Sequence, residues 1–306
     1  MKLLKFAAID IGSNAVRLLL ANVIEDEKKT SFRKSSLIRM PVRLGEDSFN
    51  TGAISERRIE KLSKTMLAFK YLMEVEDVIA YRACATSAMR EASNGQEVVK
   101  RIKKESGIEI EIIDGKEEAE IIYSNQIVEM IDDLNPYLYV DVGGGSTEIS
   151  LFAEKKRVAT QSFDIGTIRI LNNKVGKKDF KKMKDWIKDL KFNGKEVKLI
   201  GSGGNINKIY KTSAKKEGEP LLYTELEEIN KFLNFYTIEE RIKILGMNPD
   251  RADVIIPASE IFLKIMKWSE ATQIIVPTIG VSDGIVRQLY KDYSRKKKVN
   301  GITNLL

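Results

Sequence analysis

Apolar positions along this chain follow two rhythms, and the first is that of hairpins. In "LYVDVGGGSTEISLFA", residues 138–153, Leu138, Tyr139 and Val140 read as one buried strand and Ile149, Leu151 and Phe152 as the next. The acid, three consecutive glycines, serine and second acid between them form the tip. "FAAIDIGSNAVRLLLANV" near the start repeats the device: apolar strand, Asp10, glycine, Ser13, apolar strand. Asp141 stands 131 residues after Asp10 in a chain of 306. That spacing predicts two similar domains, each presenting a hairpin tip, with the tips facing across a cleft suited to a small ligand.

The second rhythm is helical. Ile59, Leu62, Met66 and Phe69 give a helix from Ser55, its expected cap, to Met73; "DVIAYRAC" is a strand; "ATSAMREASNGQEVVKRIKKESG" is a turn and a helix ending at Gly107. "IEIEIID" reads as a strand and "GKEEAEIIYSNQIVEMI" as a helix entered through a glycine turn. In the second half "EVKLIGSGGNINKIYK" is strand, glycine turn, helix; Asp253 to Trp268 is helical, "QIIVPTIG" a strand, and Val281 to Tyr293 the closing helix. Hairpin strands followed by alternating helices and strands predict an α/β fold with mixed sheets. The domains expected are 1–125 and 126–306, with the closing helix, about 284–296, packing back on the first. No Pro/Ser-rich linker marks the boundary, which rests on the repeat.

Composition narrows the chemistry. The chain has no histidine, which excludes His-based zinc sites, Ser-His-Asp triads and phosphohistidine, so a general base must be a carboxylate, lysine, tyrosine or cysteine. A single cysteine, Cys84, rules out an internal disulfide and suits a reducing cytoplasm. Asp10 breaks the opening apolar run too early for a signal peptide, and no run reaches spanning length, so a soluble cytoplasmic protein is expected. The net charge is +7, and +6 of it lies between Lys174 and Lys198, where ten lysines meet four acids. Phe180, Met183, Ile187 and Leu190 make this an amphipathic helix whose lysines are either a solvated face or a steering field for a polyanion. Aromatic residues do not interleave with the basic ones, so no nucleic-acid partner is expected, and the terminal "SRKKKVNGITNLL" reads as a frayed tail.

The candidate chemistry sits at turns. Gly143, Gly144, Gly145 and Ser146 bare the backbone, and successive N–H groups in such a loop form an anion site suited to phosphate. Asp141 and Glu148 beside it would repel a bare phosphate, which points to a divalent metal between them. Asp10, Gly12, Ser13 and Asn14 are either a side-chain-stabilised turn or a second phosphate loop, and recurrence of the Asp-x-Gly order favours the loop. Gly203 and Gly204 make another anion-friendly helix start. In "CATSAMREASNG", Arg90 is either a surface residue of an N-capped helix or a phosphate clamp. Glu117, Glu118 and Glu120 occupy a first helical turn, where acids are favoured by the dipole, and spacing alone leaves open which of them serves a water.

"AAIDIGSNAVRLLL", "VRLGED", "ATSAMREASNG", "DGKEEAEIIY", "YVDVGGGSTEIS" and "IGSGGNI", in this order, resemble the exopolyphosphatase / guanosine pentaphosphate phosphohydrolase (Ppx/GppA) family in its short two-domain form. The resemblance covers essentially the whole chain. It implies two actin-like domains, of the acetate and sugar kinase, chaperone ATPase and actin superfold, with an interdomain cleft. It also implies hydrolysis of the terminal phosphate of inorganic polyphosphate, or of the 5′ phosphate of guanosine pentaphosphate, with Mg2+ or Mn2+. It places the catalytic base at Glu118, metal and phosphate ligands at Asp141, Gly143 to Ser146 and Glu148, and the motif arginine at Arg90. A homodimer is compatible with it. The chain departs from many relatives at Asn205 and Asn207, where a threonine follows the paired glycines, and at Ser282 and Asp283, where an Arg-Glu pair precedes the last glycine. These departures bear on chain-length preference and the nucleotide pocket. Outside the hydrolase class, the sequence also allows a phosphate or nucleotide sensor that binds without turnover.

Overall fold

A computed structural model describes residues 1–26, 29–123, 127–192, 194–277 and 279–303. Its contacts divide the chain into two compact units, Met1–Asn125 with Gly280–Leu306, and Gln126–Ile279.

The first unit opens with β1 (Lys2–Ile11), β2 (Val16–Glu25) and β3 (Thr30–Met40), continues through α1 (Leu44–Thr51), α2 (Glu56–Val75), β4 (Ala80–Ala85), α3 (Ser87–Glu91), α4 (Gly95–Ser106), β5 (Ile110–Ile112) and α5 (Gly115–Tyr123), and regains the chain's last helix. Among the described residues five strands form its sheet in the order β3-β2-β1-β4-β5, with β1-β2-β3 antiparallel and β1, β4 and β5 parallel. Phe6, Ile9, Leu18, Leu62 and Met66 are fully buried at its centre.

The second unit runs α6 (Ile127–Met130), β6 (Tyr137–Val142), β7 (Thr147–Ala153), β8 (Lys156–Phe163), α7 (Thr167–Leu171), α8 (Lys177–Asp189), β9 (Lys198–Ser202), α9 (Gly204–Thr212), β10 (Leu221–Leu222), α10 (Tyr223–Phe235), α11 (Ile238–Lys243), α12 (Pro249–Ala252), α13 (Ile255–Ser269) and β11 (Gln273–Ile275). Its six described strands order as β10-β11-β9-β6-β7-β8. The middle repeats the first unit: an antiparallel run β6-β7-β8, then β9 and β11 parallel to β6. Leu138, Ile149, Leu199, Ile206 and Phe262 are central to its core. Both units are α/β with a mixed sheet, the class the sequence implies.

Several expectations need correction. The third strands, β3 and β8, carry no clean alternation because each contains a bulge: Leu20 faces Ser36 while Ala21 faces Lys34, leaving Ser35 over, and Leu151 faces Ala159 while Phe152 faces Arg157, leaving Val158 over. An extra residue flips the period of two, and bulges protect exposed edge strands. Ser55 sits at the N-cap of α2, yet its hydroxyl donates to Asp47 and makes no cap bond. The closing helix, α14 (Val281–Thr303), runs through "SRKKKVN" instead of fraying there, since nothing before Gly301 breaks it. It packs on β1 and α5 of the first unit, with Tyr293 edge-on to Phe6 at 5.9 Å. Ser124 to Gln126 of the expected long helix, Thr278 of the last expected strand, and residues 304–306 lie outside the described residues.

Candidate functional site

The two tips can be compared residue by residue because strand register fixes equivalence. In β1-β2, Asp10 faces Arg17; in β6-β7, Asp141 faces Glu148. The next strand puts Cys84 beside Asp10 and Ser202 beside Asp141. Gly12 donates its N–H to Ala15 at 3.2 Å and Gly143 donates to Ser146 at 2.9 Å, closing the same four-residue loop. Register therefore matches Ser13 with Gly144 and Ala15 with Ser146, which corrects the sequence pairing of Ser13 with Ser146.

What lies behind each loop decides which way its amides point. In the second tip the carbonyls of Gly143 and Gly144 accept from Thr167 N at 3.1 Å and Ile168 N at 2.9 Å, and that of Gly145 accepts from Arg169 Nε at 2.6 Å. Because each peptide is planar and trans, the N–H groups of Gly144, Gly145 and Ser146 point away from α7. The first tip repeats this: the carbonyls of Ser13 and Asn14 accept from Gly45 N at 2.8 Å and Arg43 N at 2.9 Å, turning the Asn14 and Ala15 amides away from α1. Successive amides facing one way make the anion-binding concavity expected of these loops.

Two glycines absent from the sequence-based candidates permit this. A Cβ on Gly166 would lie 2.3 Å from the Gly144 carbonyl oxygen, and one on Gly45 would lie 2.9 Å from Ser13 Cβ. Each follows the third strand of its sheet, a repeat that could have disclosed them. Gly203 is required differently: its φ is 110°, and a Cβ there would sit 3.0 Å from the Val142 carbonyl and 3.2 Å from Asp141 Oδ1. It brings the start of α9, with Gly204, against the end of β6.

The charges at the two tips differ. Arg17 Nη1 donates to Asp10 Oδ2 at 2.7 Å, so the first tip holds an ion pair. In the second, Asp141 accepts from Ser202 Oγ at 3.3 Å and Glu148, only 4% exposed, from Ser162 Oγ at 2.9 Å. Two carboxylates directly across a hairpin repel unless a cation or proton intervenes. Among the described residues no group of three or more acidic, thiol or imidazole side chains could hold a metal. A pair of carboxylates is nevertheless the protein share of many magnesium sites, where water and phosphate oxygens complete the shell. The donor set at Asp141 and Glu148 fits such an ion.

In the first unit, Ser13 Oγ lies 2.9 Å from Ser87 Oγ, joining the tip to the first turn of α3. Arg90 Nη1 donates to the Ile113 carbonyl at 2.8 Å, so this guanidinium ties α3 to the approach to α5. Asp114 caps α5, its Oδ1 accepting from Glu117 N at 2.7 Å and its carbonyl from Glu118 N at 2.9 Å. The three glutamates then separate. Glu117 is exposed and bridges to Arg82 at 2.7 Å, Glu120 is exposed, and Glu118 is buried at 8% exposure. Arg82 also holds Glu111 at 2.7 Å and Gln288 of α14 at 2.8 Å, so it fixes the start of α5 from three elements; no sequence pattern singled it out. Burial pushes the Cys84 thiol up to about 12, which keeps it neutral and removes it from the possible bases.

A model described as the Ppx/GppA phosphatase family matches residues 23–292. The bifunctional 3-dehydroquinate synthase/phosphatase of Fusobacterium nucleatum is 32% identical over 296 residues, which span 88% of this chain and 44% of that protein. The chain thus spans less than half the length of this relative. Exopolyphosphatase 1 of Mycobacterium tuberculosis is 24% identical over 274 residues, 83% of this chain and 78% of that one. Among solved structures, the Aquifex aeolicus member of the Ppx/GppA family superposes with a TM-score of 0.73 at 27% identity, covering 95% of this chain and 99% of that one. An exopolyphosphatase from Cytophaga hutchinsonii superposes with a TM-score of 0.79 at 25% identity, covering 94% and 98%. No described helix is long and apolar enough to cross a membrane.

Proposed function

The chain belongs to the Ppx/GppA phosphatase family, and from that premise we propose that it is a metal-dependent exopolyphosphatase, releasing phosphate from the end of inorganic polyphosphate. The observation that carries this reading is the second tip: a glycine loop with its amides turned outward, beside two carboxylates in cross-strand register. The similarity to exopolyphosphatases of M. tuberculosis and C. hutchinsonii supports the choice of substrate.

The residues divide the work as phosphoryl transfer demands, by positioning and charge stabilisation. Amides of Gly144, Gly145 and Ser146 hold phosphate oxygens, with those of the Gly203–Gly204 turn adding to them, and the outward amides of Asn14 and Ala15 give the Asp10 to Asn14 tip the same capacity. Asp141 and Glu148 would hold magnesium, or manganese in its place, and the bound ion supplies neutralisation of phosphate charge. Arg90 braces the approach to α5 and presents its remaining N–H groups to the anion. Glu118 orients a water and takes its proton as the water oxygen bonds to the terminal phosphorus. The bridging P–O bond breaks, and its electron pair leaves on the shortened chain.

The same parts serve the 5′ phosphate of guanosine pentaphosphate, so the test is phosphate release from long polyphosphate, tripolyphosphate and guanosine pentaphosphate side by side, with magnesium and with a chelator. Release from polyphosphate should be abolished by the chelator and restored by magnesium or manganese. Full activity in chelator would refute the metal assignment. A kcat/KM for guanosine pentaphosphate exceeding that for polyphosphate by about tenfold would move the substrate to the nucleotide. No release from any of the three would make the protein a binder without turnover.

A further inference from the structure

The positive charge of the second unit has a direction. α8 carries six lysines, and Lys177, Lys181, Lys184 and Lys188 recur at i, i+4, i+7 and i+11, which lines them along one face. The opposite face buries Met183 and Ile187 and packs on α13. Two of the acids are already engaged: Asp179 accepts from the Gly176 N–H at 2.9 Å, and Asp185 pairs with Lys181 at 2.8 Å. Among the described residues Lys177, Lys184 and Lys188 have no carboxylate partner.

Topology sets where this stripe begins. β8 is antiparallel to β7 and so runs towards the tip, where Phe163 pairs with Thr147; β9 starts at the other end, with Lys198 beside Tyr137. The chain must return between them, and α8 covers that return. It starts six residues after the end of α7, which backs the tip on its carbonyl side, so a guest held by the outward amides must round the tip before it meets Lys177. From Lys177 to Lys188 the stripe extends about 16 Å at 1.5 Å per residue.

We propose that the Lys177–Lys188 face of α8 is a track for the trailing part of a polyphosphate chain whose terminal phosphate sits at the Gly143–Ser146 loop. This rests on the exopolyphosphatase reading. A regular polyanion without bases fits the face better than a nucleic acid does, because the helix's aromatics turn inward: Phe180 meets Trp268 at 6.4 Å and Trp186 meets Phe163 at 5.6 Å, leaving no stacking platform. Lysine also suits a sliding guest, being a flexible point charge without the fixed fork of arginine.

The test is the triple variant Lys177→Gln, Lys181→Gln, Lys188→Gln, with half-buried Lys184 kept and thermal melting used to confirm folding. On long polyphosphate kcat/KM should fall about tenfold, through KM, with a shallower salt dependence, while tripolyphosphate, too short to reach the stripe, should change by less than about twofold. Binding of long polyphosphate in chelator, where no turnover is expected, should weaken in parallel. Unchanged binding and salt dependence would overturn the track, and so would an equal loss on tripolyphosphate. Transfer RNA displacing polyphosphate from the wild type at equal phosphate concentration would reassign the face to nucleic acid. If the wild type releases no phosphate from any substrate, the exopolyphosphatase reading fails, and the binding comparison alone still upholds or refutes the track.

Discussion

Glu117, Glu118 and Glu120 share one helical turn, yet the fold gives them different surroundings. Asp114 caps α5 and Arg82 takes Glu117, which leaves Glu118 as the buried member. Glu118→Gln keeps the size but removes the basic carboxylate, so turnover should fall about 100-fold or more with KM little changed. Glu120→Gln should cost little, because an acid in the first turn contributes about 0.3–1 kcal/mol through the dipole. Glu117→Gln should act between them, since it also loosens Arg82. Phosphate-release kinetics on variants with unchanged melting temperature decide this. A folded Glu118→Gln enzyme with near-normal turnover would move the base elsewhere. Spacing could not make this choice, because burial depends on how α5 packs, and α14 lies so close that a Cβ on Gly284 would come within 2.2 Å of the Ile121 carbonyl.

At the scale of elements, each tip is a loop held from behind by the helix that follows the third strand. Gly166→Ala should therefore disturb the second tip selectively: its Cβ would overlap the Gly144–Gly145 backbone, and relief requires moving the loop. Overpacking of this kind costs about 1–3 kcal/mol, so melting should drop by several degrees and phosphate affinity should fall with it. A Gly166→Ala protein with wild-type melting and kinetics would show that the contact is not required. Both hairpins and the glycine turns were legible in the sequence, because alternation and glycine clusters are local signals. The third strands were not, since the bulges at Ser35 and Val158 break their period, and neither was the role of Gly45 and Gly166, whose contacts lie far along the chain. Quoted side by side, the motifs suggested that Ser13 corresponds to Ser146; the ladder registers give it the position that Gly144 holds in the second hairpin.

Across the whole molecule the duplication is one of architecture more than of chemistry. Both sheets centre on a strand with an aspartate one residue before its end, flanked by an antiparallel ribbon on one side and parallel strands on the other. The copies have diverged where charge is handled: Arg17 answers Asp10, whereas Glu148 stands beside Asp141 and the lysines of α8 lead away from that tip. The first copy therefore holds an ion pair at its tip, and the second carries a carboxylate pair suited to a cation. The most direct measurement is the product distribution from polyphosphate of one defined length, resolved at low conversion in magnesium. Attack at the chain end predicts free phosphate matched by chains shortened from one end, with no independent accumulation of mid-length fragments; a spread of such fragments without matching phosphate would contradict it.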